Sequence, residues 1–328
     1  MAPTLSGLLL LVLAGASAAL ARAADDLFDL PLADLLQVEI RSAGKRDEEI
    51  RDIPASVTIL TREEIQRYGW VTFEELLRNV PGFFVLDTLD EQPIGTRGVA
   101  GGSVLILVNG VPQNPSIQLI LPVESIDRVE IIRGPMSVIY GDNAFLGVIN
   151  VRTNDIGRNG PRVSLGGGSR NGAQAFARLG AEGEDGFVVL NAGASRTEGL
   201  DGAYADMLGP DQLPLLDPRM HRSMDGNMDR QDLSLDLSAG WGDWVLDARW
   251  TRRHAGFYVL TPSFDDGNRG YITEWSAAVG WERALGETLG VRARAQANEG
   301  GSSSTRSIFS PPSSTDGRRG RSGVGRPS

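Results

Sequence analysis

Apolar positions recur along this chain with two different periods, and the change between them divides it. Residues 55–60 alternate with β-branched members and predict a strand. Thr61 and Glu64 then form an S/T-x-x-E capping box, Ile65 and Tyr68 follow at helical spacing, and Gly69 ends the helix. The arrangement repeats at once: Thr72 and Glu75 open a second helix, Phe73, Leu76, Leu77 and Val80 give it an apolar face, and Pro81-Gly82 stops it. Residues 104–108 are almost wholly apolar, which suits a strand buried on both faces, and they run into the tight turn Asn109-Gly110. A further strand at 128–132 alternates Val129 and Ile131 with Glu130 and Ile132. Pro135 opens a short helical piece, and a last apolar strand covers 148–151. Residues 47–153 therefore predict one small α+β domain.

Beyond residue 153 helical spacing vanishes and the period becomes 2. Leu233, Leu235, Leu237, Ala239 and Trp241 alternate with Asp232, Ser234, Asp236 and Ser238; Trp244, Leu246, Ala248 and Trp250 alternate with Val245, Asp247 and Arg249. Seven strands are predicted, at 163–168, 173–181, 187–196, 231–241, 244–254, 271–282 and 290–297. A soluble sandwich also alternates, so the period alone does not choose between sandwich and membrane barrel. Two observations favour the barrel. Trp241, Trp244, Trp250, Trp275 and Trp281 fall at or near predicted strand ends, as interfacial aromatics do, and connections 182–186, 242–243 and 283–289 are short where 197–230 and 255–270 are long. Short turns on one side and long loops on the other place the start of the first strand on the periplasmic side.

Composition narrows the function classes. The net charge of −10 lacks the basic surface of a nucleic-acid binder, and the absence of Cys removes disulfide and thiolate chemistry. Only two histidines are present, and no nucleophile–base set emerges, so neither an enzyme nor a resident cofactor is expected. Residues 2–21 are uncharged, with an apolar centre at 8–13, and Ala21-Arg22-Ala23 reads as an A-x-A cleavage site. A membrane anchor is the alternative, but Gly and Ala dilute the run. Residues 1–23 thus predict a signal peptide and 24–46 an acidic, then mixed, arm with a short extended piece at 37–41. The carboxylate pairs Glu63-Glu64 and Glu74-Glu75 open helices, where they complement the helix dipole.

Six blocks in this chain resemble the plug of TonB-dependent outer-membrane receptors. They are Asp52-Ile53-Pro54-Ala55-Ser56-Val57-Thr58-Ile59, Leu76-Leu77-Arg78-Asn79-Val80-Pro81-Gly82 and Thr96-Arg97-Gly98. The others are Val104-Leu105-Ile106-Leu107-Val108-Asn109-Gly110-Val111-Pro112, Ile126-Asp127-Arg128-Val129-Glu130-Ile131-Ile132-Arg133-Gly134-Pro135, and Tyr140-Gly141 with Ala144 and Gly147-Val148-Ile149-Asn150. The resemblance covers residues 38–153; beyond that it is one of texture. It implies an α+β plug domain followed by antiparallel transmembrane β-barrel strands at 154–299, about 7 of roughly 22. Within the plug motif the glycines Gly98, Gly110, Gly134, Gly141 and Gly147 are expected to serve positive φ or close approach. Arg97 and Arg133 are expected either to pair with barrel-wall carboxylates, as the family's plug arginines do, or to stay solvated.

The resemblance also implies partners. Val38, Glu39, Ile40, Arg41, Ser42 and Ala43 resemble the energy-coupling box, which adds as a strand to the periplasmic domain of TonB. An outer-membrane lipid environment and an extracellular small-molecule ligand, an iron chelate or a cobalamin-like compound, follow from the family. Residues 300–328, rich in Ser, Gly, Arg and Pro, read as disorder or as translation in a wrong frame. Seven strands are too few to enclose a plug of this size, so this form is expected not to transport alone. A soluble periplasmic binding module and a non-functional gene fragment are the competing readings.

Overall fold

The computed structural model describes residues 39–40, 48–49, 56–86, 92–114, 119–155, 160–203, 206, 223–256, 269–284 and 290–305. The expected signal peptide, most of the arm and the last 23 residues lie outside the described residues. Two short strands, β1 (Glu39–Ile40) and β2 (Glu48–Glu49), pair antiparallel. The N-terminal domain proper begins at β3 (Ser56–Thr61).

Helix α1 (Arg62–Tyr68) starts where the sequence says it should. Thr61 Oγ1 accepts from the Glu64 amide, the Glu64 carboxylate accepts from the Thr61 amide, and Gly69 closes the helix at φ 69°. Helix α2 (Phe73–Arg78) is capped differently. Thr72 Oγ1 accepts from the Glu75 amide at 3.1 Å, but the Glu75 carboxylate reaches past Thr72 to the Val71 amide at 2.9 Å. Its inner face, Phe73, Leu76 and Leu77, is 0–1 % exposed, which contributes about 1.5–3 kcal/mol per side chain.

Strands β4 (Phe83–Val85), β5 (Ile94–Thr96) and β6 (Val99–Ala100) form a small antiparallel sheet. The main sheet combines β3 with β7 (Val104–Val108), β8 (Val111–Pro112), β9 (Arg128–Arg133) and β10 (Gly147–Arg152), in the order β3-β9-β10-β7-β8. Only β10 and β7 run parallel. Before β9 lies a single 3₁₀ turn, Val123–Ser125, and after it the short helix α3 (Ser137–Tyr140). The alternation read at 128–132 is present, but neither side meets water. Val129 and Ile131 join the core shared with both longer helices, while Ile132 joins a second core with Met136, Ala144 and Val148. Glu130, 0 % exposed on that second side, accepts from Asn150 Nδ2 and Arg128 Nε, both at 2.9 Å. A central strand covered on both faces must satisfy its polar members internally.

The C-terminal sheet is a meander of seven strands, each antiparallel to the next: β11 (Arg162–Gly167), β12 (Ala173–Glu182), β13 (Gly186–Thr197), β14 (Arg230–Trp241), β15 (Trp244–Gly256), β16 (Arg269–Ala284) and β17 (Gly290–Thr305). Among the described residues it does not close on itself. Two expectations need correction. The expected tail at 300–328 begins too early: β17 continues to Thr305, because β16 offers a ladder partner for each residue back to Arg269. The tryptophans also divide. Trp241, Trp244 and Trp281 gather at one end, whereas Trp250 and Trp275 face each other in mid-strand, six positions along β15 from Trp244.

The two faces of this sheet separate as the alternation predicts. On β14, Ser234, Asp236 and Ser238 are buried while Leu235 and Trp241 are exposed; on β15, Asp247, Arg249, Thr251 and Arg253 are buried while Trp244, Leu246 and Trp250 are exposed. The polar row faces the N-terminal domain and the apolar row faces outward, the reverse of a soluble sandwich and the arrangement lipid demands.

Candidate functional site

The chemistry of this chain is concentrated where the N-terminal domain meets the polar face of the sheet. The first contact is built by the ends of β9 and β10. Asp127, just before β9, is held by its own amide on the Arg152 carbonyl at 2.8 Å and accepts from the Asp155 amide at 2.8 Å. Arg178, at an inward position of β12, places Nη1 at 3.0 Å from both Asp127 carboxylate oxygens. The same guanidinium donates to the Thr153 carbonyl at 3.1 Å and the Asp155 carbonyl at 2.6 Å, and Asn191 Nδ2 adds a 3.1 Å bond to Thr153 O. Side-chain exposure is 0 % for Arg178 and 1 % for Asp127. Burial pushes the Asp127 carboxyl up from its ordinary range, against the downward pull of the Arg178 charge and the Asp155 amide. Nearby, Arg62 donates to the carbonyls of Glu124 and Ile126 at 3.0 and 2.7 Å, and burial lowers its pKa.

The second contact is the Asn109-Gly110 turn. Both residues adopt positive φ, 51° and 76°, as a two-residue hairpin between β7 and β8 requires. Asn109 accepts from the Thr153 amide at 2.9 Å and donates to Thr153 Oγ1 and, across the interface, to Ser238 Oγ at 3.2 Å. Asn150 Oδ1 accepts from the Gly110 amide at 3.0 Å, so the two asparagines lock the turn to β10. Ser238 in turn donates to Asp247 at 2.6 Å, Arg294 donates to the Asn109 carbonyl at 3.2 Å, and Arg249 donates to the Ile120 carbonyl. Arg249 also lies 3.1 Å from Asp236, so its charge is compensated within the wall.

The remaining motif residues do not touch the sheet in this way. Arg133, expected either to pair with a wall carboxylate or to stay solvated, bonds within its own domain. It donates to Thr58 Oγ1 at 2.7 Å and to the Pro81 carbonyl at 3.1 Å, and lies over the Phe83 ring. It sits at the far end of β9 from Asp127, which puts it out of reach of the wall strands that meet that end. Arg97 and Gly98 form the exposed β5–β6 turn, both at positive φ. Gly134 and Pro135 lead to α3, where Tyr140 packs against the second core and burial raises its phenol pKa. Gly141 ends that helix at φ 79°. Gly147 is required by space: a Cβ there would lie 2.7 Å from the Ile132 carbonyl. In the coupling segment Glu39 and Ile40 form β1, opposite Glu49 and Glu48, while Val38, Arg41, Ser42 and Ala43 lie outside the described residues.

The ion pair with a plug carboxylate and a wall arginine was missed by sequence reasoning, which looked for the opposite polarity. The available signal was an arginine at an inward position of an alternating strand, β12. Two cavities open along the same interface. One of about 410 Å³ is lined by Tyr140 and Asp142 of the domain and by Thr251 and Glu274 of the wall. The other, about 310 Å³, lies at the end from which the connections 198–229 and 257–268 emerge.

Comparison with known proteins accounts for this arrangement. The sequence profile of the TonB-dependent receptor plug domain matches residues 49–148. The chain is 33 % identical over 169 residues to the vitamin B12 transporter BtuB of Vibrio vulnificus, a match covering 49 % of this chain and 28 % of that protein. It is 35 % identical over 116 residues to the iron-regulated outer membrane virulence protein of Vibrio cholerae, covering 32 % of this chain and 18 % of that one. The chain therefore spans less than a third of the length of these curated relatives. Among solved structures, the fold resembles the ferric-catecholate import receptor Fiu of E. coli K12 in its open form (TM-score 0.59, 16 % identity, 81 % of this chain and 42 % of that chain). It also resembles the siderophore receptor PiuA of Acinetobacter baumannii (TM-score 0.60, 13 % identity, 81 % and 39 %). A plug seated on the polar face of an antiparallel wall whose other face suits lipid agrees with these matches: residues 49–148 are a TonB-dependent receptor plug domain, and the chain as a whole has the fold of part of such outer-membrane receptors.

Proposed function

We propose that this chain is a truncated form of a receptor that takes up a scarce extracellular small molecule, an iron chelate or a cobalamin-like compound, with energy delivered through TonB to residues 38–43. The observation that carries this reading is the seating of the plug. Its Asp127 is buried against Arg178 of the wall and its Asn109 turn is bonded to Ser238, so no free path runs between plug and wall at these points. Moving a ligand past them requires breaking buried polar contacts, which is work for an external source. The relatives supply the ligand classes, vitamin B12 for BtuB and iron chelates for the siderophore receptors. Val38, Glu39, Ile40, Arg41, Ser42 and Ala43 act in this reading as an added strand on TonB's periplasmic domain, held by main-chain hydrogen bonds.

The test uses Ile40→Pro, which removes one ladder N–H from the segment. Pull-down by the periplasmic domain of TonB should be lost, and receptor-dependent growth on a ferric chelate or on cobalamin should be lost with it. Retained pull-down would move the coupling segment elsewhere. Growth unaffected by deleting TonB would overturn the energy source.

A further inference from the structure

The outward face of the wall carries guanidiniums that the plug contacts leave unused. Outward positions fall in rows across the sheet: Arg196 of β13 stands in one row with Gln231, His254 and Tyr271, and Arg252 of β15 stands in the next. Both arginines are exposed, and among the described residues neither takes a hydrogen bond or an ion pair. Tyr271 orders this end of the wall: it stacks on His254 at 4.5 Å, and the Arg252 guanidinium lies over its ring at 5.8 Å. Outward carboxylates stand aside. Glu198, past the end of β13, accepts from Asn171 Nδ2 at 2.7 Å, and Glu299 is on the edge strand β17, opposite Trp275. At the other end of the wall the cation is paired: Arg283 has Asp243 at 3.7 Å.

Below Arg196 the outward surface dips. Ala175 and Ala177 of β12 pair with Ala194 and Ala192 of β13, between the larger side chains of Leu165 on β11 and Leu235 on β14. Leu179 and Leu190 close this notch in the next row, and Ala173, beside Arg196, opens it. From Ala173 to Ala177 it runs about 13 Å at ordinary strand rise, a length that takes part of a fatty-acyl chain. Strand spacing separates the backbones of Arg196 and Arg252 by about 12 Å, within reach of a single headgroup bearing two phosphates. The long connections 198–229 and 257–268 leave from this end, which places it at the outer surface of the membrane. We infer that this patch is a docking site for a phosphorylated glycolipid of the outer leaflet. Arg196 and Arg252 hold its phosphates, and the alanine notch takes one acyl chain. A guanidinium fork matches phosphate geometry, and charge complementarity at the headgroup level decides which leaflet this end of the wall prefers. The site lies on the opposite face from the plug, so it goes beyond uptake and does not depend on ligand or TonB.

The full chain in zwitterionic detergent micelles, titrated with a fluorescent bisphosphorylated glycolipid, reads the site by fluorescence anisotropy. Arg196→Gln/Arg252→Gln should weaken binding about tenfold. Ala192→Trp, which fills the notch and leaves both arginines in place, should also weaken it several-fold. Arg283→Gln, the same charge change at the paired end, should leave affinity within about twofold of the parent. The same glycolipid stripped of its phosphates should bind the parent no better than the intact lipid binds the double arginine variant. Hydrogen exchange of the 150–155 segment, which packs on the other face of the wall, reports that each variant is folded. Unchanged affinity in the double arginine variant or in Ala192→Trp, equal binding of the stripped glycolipid, or displacement by inorganic phosphate alone would overturn the site.

Discussion

Replacing Arg178 with Met keeps an unbranched, flexible side chain, shorter than the original, and deletes its charge. The consequence follows from what Arg178 leaves behind. Asp127 would remain with 1 % side-chain exposure and would lose the guanidinium that lies 3.0 Å from both its oxygens, and the carbonyls of Thr153 and Asp155 would lose donors at 3.1 and 2.6 Å. Removing one member of a buried pair costs about 3–5 kcal/mol, whereas replacing both members by apolar groups is often neutral. Hydrogen exchange of the 150–155 segment reads this directly, because the Asp155 amide is bonded to the Asp127 carboxylate at 2.8 Å. Exchange there should accelerate roughly a hundred- to a few-thousandfold in Arg178→Met, and by much less in the double variant Asp127→Leu/Arg178→Met. The pair Arg283–Asp243 is an internal control: at 3.7 Å, with 61 and 42 % exposure, its loss should cost no more than about 1 kcal/mol. If Arg178→Met exchanged within threefold of the parent, the pair would be no stronger than a surface contact and the seating argument would fail.

Three further outcomes follow. Because burial raises the Asp127 carboxyl above its ordinary value of 3.8, its contribution to plug stability is complete below that value and declines as pH rises through the raised one; Asp127→Asn should flatten this acid-side dependence in a denaturant titration series. Gly147→Ala should destabilise the plug by about 1–3 kcal/mol, seen as a lower denaturation midpoint, since the new methyl meets the Ile132 carbonyl, which belongs to a paired strand and cannot step aside. Leu235→Arg, on the outward face of β14, should cost about 2–4 kcal/mol in lipid refolding equilibria; an unchanged value would mean this face does not meet hydrocarbon.

Much of the architecture was legible because its causes are local. Thr61 with Glu64, and Gly69 after them, mark a helix by hydrogen bonds that span only a few residues. The period-2 rows around Leu235 and Arg249 assign faces because successive side chains on a strand must point opposite ways. The Asn109-Gly110 turn needs positive φ at both positions, and these residue types tolerate it. Strand lengths were less legible: β17 extends through a Gly- and Ser-rich end whose pairing comes from the neighbouring strand rather than from its own side chains. What no local pattern could supply was partner choice across the interface. Arg178 and Asp127 are 51 residues apart in the chain, and nothing in either neighbourhood distinguishes that pairing from the expected one between a plug arginine and a wall carboxylate. Arg133, by residue type the better candidate, lies at the wrong end of β9 and spends its donors on Thr58 and Pro81. Asp127 sits at the end that meets β12, so the sequence determined which charges exist and which face of their element they occupy. The packing of plug on wall decided which of them meet, because desolvation makes a charge depend on its three-dimensional surroundings.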